Sequence, residues 1–199
     1  MFATLPSPLW VLGTGTGVGK TFLSSRIAQA WAQLGPVSYR KPFQTGVAGP
    51  GDPAADAMAV AGPGITVESG VLLKAPLSPL AAARLEGREL DLRALASWCG
   101  RPAEGRVLLE GVGGLMVPLA PQVHFLAWAT ELKIPCLLVA LGGLGTLNHT
   151  LLSAEALMLR GWRIEAVVLN PVADGTDPAV AEVNAEMLRG FLPVPVRVL

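Results

Sequence analysis

The sequence predicts an α/β fold of three layers, a mostly parallel sheet with helices on both faces. Three observations predict it. Short apolar runs that stop at glycine or at a polar residue alternate with segments of helical period, the pattern of parallel strands joined by crossover helices. A Gly-rich loop joins the first such strand to the first such helix. Hydrophobic residues make up 51% of the 199 and charged residues 15%, enough apolar side chain to fill a core on each face of a sheet. No internal repeat, heptad run or linker interrupts the chain, so residues 1–199 read as one domain.

The elements follow in order. Leu9-Trp10-Val11-Leu12 is an apolar run halted by Gly13, as in a buried parallel strand. Residues 21–34 place Phe22, Ile27, Ala30, Trp31 and Leu34 at helical spacing, and Gly35-Pro36 ends that helix. Residues 37–40 form a second strand leading into Lys41-Pro42-Phe43-Gln44-Thr45-Gly46. Residues 47–54, dense in Gly, Pro and Ala, read as a mobile loop, and Asp56 opens a short Ala-rich helix. Helices are expected over 79–85 and 91–98. A third strand, 107–109, runs into Glu110-Gly111-Val112-Gly113-Gly114. Residues 136–141 form a strand, 146–159 a helix, 166–169 a strand ending at Asn170, and 180–191 a last helix. No charge occurs between Lys133 and Glu155, a length that could cross a bilayer. Pro135, Gly142, Gly143 and Gly145 break it into strand, turn and helix start, so it reads as buried core.

Composition excludes several classes. Lys+Arg and Asp+Glu balance at 15 each, which argues against an extended nucleic-acid surface. Cys99 and Cys136 are too far apart for a zinc or disulfide framework, and a reducing compartment is expected. The start, Met1-Phe2-Ala3-Thr4-Leu5-Pro6, has no basic region ahead of an apolar run, so no signal peptide is expected and the cytoplasm is the expected location.

In open parallel sheets ligands bind beyond the carboxyl ends of the strands. The Gly13 loop, Lys41, Glu110, the Gly143 turn and Asn170 all fall at that edge. Gly13-Thr14-Gly15-Thr16-Gly17-Val18-Gly19-Lys20-Thr21 joins strand to helix. Its glycines let backbone N–H groups approach phosphate oxygens, and the helix start adds a positive dipole end. Lys20 can reach the β- and γ-phosphates, and the Thr21 hydroxyl can ligate Mg²⁺. Five residues separate Gly13 from Gly19 where the common phosphate loop has four. Glu110 ends a strand before glycines and can add a carboxylate to a Mg²⁺ shell. Asp56, read by itself, is a helix-start acid that complements the dipole. His149, beside Asn148, is given no role.

Four further segments carry a resemblance: Lys41 to Gly46, Glu110 to Gly114, Leu144-Gly145-Thr146-Leu147-Asn148-His149-Thr150, and Asn170. With the Gly13 loop, their order and spacing resemble dethiobiotin synthetase over nearly the whole chain, including the longer loop, and so imply a P-loop NTPase fold. The resemblance implies ATP-dependent ring closure of 7,8-diaminopelargonate with CO₂. A carbamate of the substrate attacks the γ-phosphate, and the second amine closes the ring on the resulting anhydride. It implies catalytic roles for Lys20, Lys41 and Thr16, with Thr45 as a second hydroxyl on the carbamate. The two lysines are expected to converge from neighbouring strand ends. It implies Mg²⁺ on Thr21, Asp56 and Glu110, and nucleotide contacts from the whole loop, Glu110 and Asn170. Gly113, Thr146, Leu147, Asn148 and Asn184 are implied substrate contacts, the carboxylate being received at the helix start across a homodimer interface. No membrane or nucleic-acid partner is expected. Gly15 and Gly17 stand where some relatives carry acidic side chains.

Two other classes fit the sequence less well. A partner-regulated switch ATPase would carry an extra loop lysine near Gly15–Gly17 and often a basic face or amphipathic tail; none is visible. A cobyrinate-type amide synthase would need a further glutaminase domain and a much longer chain.

Overall fold

The computed structural model describes residues 2–49, 52 and 55–199; Pro50, Gly51, Pro53 and Ala54 of the expected 47–54 loop lie outside them. In chain order the elements are β1 (Leu9–Gly13), α1 (Lys20–Ala32), β2 (Val37–Thr45), α2 (Asp56–Val60), β3 (Ile65–Leu73), α3 (Pro79–Leu85), α4 (Leu92–Gly100) and β4 (Arg106–Glu110). There follow β5 (Pro118–Ala120), β6 (Val123–His124), α5 (Phe125–Thr130), β7 (Cys136–Leu141), α6 (Thr146–Met158), β8 (Ile164–Asn170), α7 (Pro178–Phe191) and β9 (Val196–Val198). Seven strands form one sheet in the order β3-β2-β4-β1-β7-β8-β9. All of its pairings are parallel, while β5 and β6 pair separately as a short antiparallel ribbon.

Helices cover both faces because the strands are apolar on both. β1 is buried along its whole length. One face packs Leu9, Val11, Tyr39 and Leu108 against Leu23, Ile27 and Trp31 of α1 and Val60 of α2. The other packs Trp10, Leu12, Leu109 and Leu138 against residues of α4, α5, α6 and α7. There Trp10, Phe125 and Trp128 meet edge-on or tilted, with centroids 5.5–6.4 Å apart, the arrangement ring quadrupoles favour. The charge-free stretch after Lys133 becomes buried β7 and the start of α6, and no helix among the described residues is long and apolar enough to cross a membrane.

Local signals explain where helices start. Ser78 caps α3 with Pro79 behind it, Asp91 caps α4 at Ala94 N (2.9 Å), and Asp177 caps α7, which therefore opens at Pro178 rather than 180.

Three differences from the expected pattern bear on the site. First, β2 runs on to Thr45, so Lys41 to Thr45 lie within the strand rather than in a loop beyond it. The cause is β3, which was not expected because Glu68, Ser69 and Gly70 interrupt its apolar run. It pairs with β2 from Val37↔Ile65 to Thr45↔Leu73. Pro42 needs no ladder partner there, and Gly70 lies so close that a Cβ would stand 2.5 Å from the Pro42 carbonyl oxygen. Second, β1 and β2 are not neighbours, because β4 lies between them. The expected convergence of Lys20 and Lys41 from adjacent strand ends is therefore corrected: they meet across the end of β4, which carries Glu110. Third, α5 and the edge strand β9 were not expected; both are too short to show a period.

Candidate active site at the carboxyl edge of the sheet

Strand order reverses at β1, with β4 on one side and β7 on the other, and such a switch point opens a crevice at the carboxyl ends. The Gly13–Thr21 loop fills its rim. Gly17 and Gly19 have φ of 74° and 92°, which side chains with a Cβ rarely adopt, and Gly19 caps α1. A Cβ on Gly19 would collide with the Asn170 amide, so this glycine also admits the end of β8 against the loop.

A cavity of about 580 Å³ lies beside the loop. Thr16, Gly17, Gly19, Lys20 and Thr21 line it from the loop, Lys41 and Thr45 from β2, Asp56 from α2, and Glu110 and Gly113 from β4 and the segment after it. Four sequence-distant elements thus deliver Lys20, Lys41, Asp56 and Glu110 to one place. Glu110 is the hub. It is closed to solvent, and Oε1 accepts from Thr21 Oγ1 at 2.8 Å and from Lys41 Nζ at 2.5 Å. Lys41 Nζ also stands 2.5 Å from Asp56 Oδ2, so its ammonium bridges two carboxylates. Gln44 supports this from β2, its Oε1 accepting from Asp56 N at 3.2 Å at the start of α2.

The two lysines differ electrostatically. Lys20 donates to the Gly15 and Gly113 carbonyls, at 2.8 and 2.9 Å. Burial and then the charge of Lys41 pull it down to about 8, more than Glu110 and Asp56 restore. Lys41 is equally buried, and burial pulls it down too, but Glu110 and Asp56 more than offset this and hold it above the ordinary lysine range. With Asp56 and Glu110 the two ammonium groups form a cluster of balanced charge in which Lys41 makes both ion pairs.

Other expected residues lie elsewhere. Asn170 donates through Nδ2 to the Val18 carbonyl at 3.2 Å, while its buried Oδ1 has no partner among the described residues. Thr14 and Gly15 line an adjoining hollow toward α6, with Met116 and Leu152. Thr146, Leu147, Asn148 and Asn184 are not brought to the 580 Å³ cavity. The Thr146 hydroxyl turns inward, donating to the Leu141 carbonyl at 2.7 Å. Asn184 donates to the Gly142 carbonyl at 2.8 Å, and Gly143 N–H to Asp174 Oδ2 at 3.0 Å. The N–H groups of Leu147 and Asn148 have no partner among the described residues.

Sequence reasoning missed Tyr39, Phe43, Gln44, Ser78 and Val117. Tyr39 donates to Glu110 Oε2 at 3.0 Å and the others line the cavity. Burial, then Glu110, pushes the Tyr39 phenol well above its ordinary range, so it stays a donor. Its signal was available: on a strand that includes Lys41, the residue two positions earlier shares the lysine's face.

Residues 8–197 match the family described as an AAA domain. The ATP-dependent dethiobiotin synthetase BioD of Anaeromyxobacter sp. (strain Fw109-5) is 41% identical over 188 residues, 91% of this chain and 84% of that protein. That of Methylobacterium nodulans is 36% identical over 90% of this chain and 88% of its own length. Among solved structures, a ParA family ATPase from Chlorobium tepidum superposes with a TM-score of 0.56 at 14% identity, covering 95% of this chain and 82% of that one. A nucleotide-binding protein in complex with ADP from Archaeoglobus fulgidus gives 0.53 at 15%, covering 95% and 79%. At such identities the structures share the fold alone, the three-layer architecture of P-loop NTPases.

Proposed function

The chain belongs to the dethiobiotin synthetase family, and on that premise we propose that its ATP-dependent ring closure of 7,8-diaminopelargonate with CO₂ takes place in the cavity between the Gly13 loop, β2 and β4. The observation that carries the assignment of residues is the gathering of Lys20, Lys41 and Thr21 around Glu110 beside a phosphate-type loop.

Phosphoryl transfer asks a protein for positioning and for neutralisation of charge on the transferred group. The loop N–H groups from Gly13 to Thr21 hold the triphosphate. Lys20, tied among the described residues to two neutral carbonyls, exchanges them for the β- and γ-phosphate oxygens. Lys41, on the neighbouring wall, faces the carbamate and the γ-phosphate together, with Thr16 and Thr45 donating hydroxyl hydrogens to the carbamate. The carbamate oxygen attacks the γ-phosphorus and ADP leaves. The second amine then attacks the carbamoyl carbon, phosphate departs, and the ureido ring is closed. Asn170, whose Oδ1 is buried without a donor, is suited to accept from a base amine.

The donor set also fits Mg²⁺. Thr21, Asp56 and Glu110 present hard oxygens, and two of them already share one cation, the Lys41 ammonium, which supports the reading. Bound there, Mg²⁺ supplies further charge neutralisation for the phosphates.

The distal carboxylate of the substrate is assigned to the α6 start, where Leu147 and Asn148 N–H groups are free and the helix dipole favours an anion. Thr146 supports the turn through its inward hydroxyl and Asn184 through its bond to the Gly142 carbonyl, while Gly113 meets the substrate from the cavity wall. Leu144, Leu152 and Met116 are exposed beside this start, which supports a homodimer that presents one protomer's α6 to its partner's cavity. The cytoplasm is the proposed location.

The test is ADP release with and without diaminopelargonate and bicarbonate. Release should require both, because the phosphoryl acceptor is made on the enzyme. Hydrolysis indifferent to both compounds would point to a switch ATPase instead.

A further inference from the structure

We propose that Tyr39 is a positioning residue that makes Glu110 a one-oxygen ligand and so sets the preference of the site for a small divalent cation over a larger one. The proposal rests on the reading of Thr21, Asp56 and Glu110 as a cation site. The two oxygens of Glu110 are divided between two environments. Oε1 faces the cavity with Thr21 Oγ1 at 2.8 Å and Lys41 Nζ at 2.5 Å. Oε2 accepts from the hydroxyl of Tyr39, which does not line the cavity, at 3.0 Å.

The arrangement follows from register. Tyr39 on β2 pairs with Leu108 on β4, two residues before Glu110. The two-residue period of a strand therefore puts Tyr39, Lys41 and Glu110 on one face of the sheet. The Tyr39 ring is wholly buried in the apolar cluster that includes Val11, Leu23 and Leu108, which leaves the hydroxyl no alternative position. Phenylalanine would fill the same space; among the described residues Glu110 is the one group the hydroxyl serves.

A carboxylate can offer a cation one oxygen or two. To offer two, Glu110 would have to rotate Oε2 away from Tyr39, leaving a buried hydroxyl unpaired. Mg²⁺ demands a near-octahedral shell at about 2.1 Å and takes carboxylates one oxygen at a time, whereas Ca²⁺ accepts bidentate carboxylates in looser shells. The Tyr39 hydrogen bond therefore acts against the larger ion.

The experiment compares wild type with Tyr39→Phe, both saturated with the nonhydrolysable nucleotide AMP-PNP. Bound Mn²⁺ is displaced by Mg²⁺ or Ca²⁺, and free Mn²⁺ is read by electron paramagnetic resonance. Wild type should favour Mg²⁺, and Tyr39→Phe should lose about tenfold of that preference, the worth of one hydrogen bond to a charged group. Incorporating 4-aminophenylalanine at position 39, which restores a donor at the ring tip, should return the wild-type ratio. It also serves as the test should the Phe variant not fold. A ratio unchanged within about twofold in folded Tyr39→Phe, or no rescue by the amine, overturns the role of Tyr39. If Glu110→Gln leaves Mn²⁺ binding intact, the cation site itself has been misassigned, and this inference falls with it.

Discussion

Replacing Lys41 with methionine removes the counter-ion of two carboxylates, and the structure sets the size of the effect. Lys41 and Glu110 are 5% and 0% exposed in their side chains, so solvent screening does little for this pair. Removing one member of a buried pair costs about 3–5 kcal/mol. The low end, about 3 kcal/mol, is expected because Glu110 keeps the Thr21 and Tyr39 hydroxyls, and Asp56, 30% exposed, can turn toward water. Turnover should fall by at least about a hundredfold, since an ammonium on the transferring group is lost. Lys41→Met/Glu110→Gln, which removes both charges, should recover to within about 1 kcal/mol of wild-type stability while remaining inactive. Urea unfolding would give the stabilities and ADP release the rates. Stability losses that add to within about 0.5 kcal/mol would mean that Lys41 and Glu110 are not coupled. A wild-type rate in Lys41→Met would refute the two-lysine site.

Arg40 points to the opposite face from Lys41, and its buried guanidinium donates to the Cys99 and Arg101 carbonyls at 3.0 and 2.7 Å and to Glu68. Arg40→Met should cost about 2–4 kcal/mol by stranding those acceptors, with kcat per folded molecule unchanged; a loss of kcat at full stability would refute the register. Burial raises the Glu68 carboxyl, but hydrogen bonds from Arg101, Arg40 and Ser38 more than offset it and hold it below the ordinary 4.5. The stability from those bonds is therefore present above that value and lost as pH falls through the lower folded pKa, so the deficit of Arg40→Met should shrink in acid; a deficit constant down to acid unfolding would contradict this. Burial pushes the Cys99 thiol up to about 12 and raises Cys136 further. Neither should react with iodoacetamide near neutral pH until urea unfolds the chain, as mass spectrometry would show.

How much was legible depends on how local each feature is. The helices at α3, α4 and α7 are signalled by caps a few residues away, Ser78, Asp91 and Asp177. The Gly13–Thr21 loop is one continuous segment whose glycines and Gly19-Lys20-Thr21 end carry their chemistry within nine residues. β3 and β9 were hidden because their strand character comes from a partner: β2 holds β3 although Glu68, Ser69 and Gly70 break its apolar run.

The sequence by itself therefore determined the alternating architecture, the phosphate loop and the residue types available for phosphoryl transfer, because backbone sterics and side-chain period act over a few residues. Only the tertiary structure decided that β4 inserts between β1 and β2, bringing Glu110 to Lys41 across 69 positions and to Tyr39 across 71. Strand order is set by how both faces of the whole sheet are buried, a sum over the entire chain that no single segment contains.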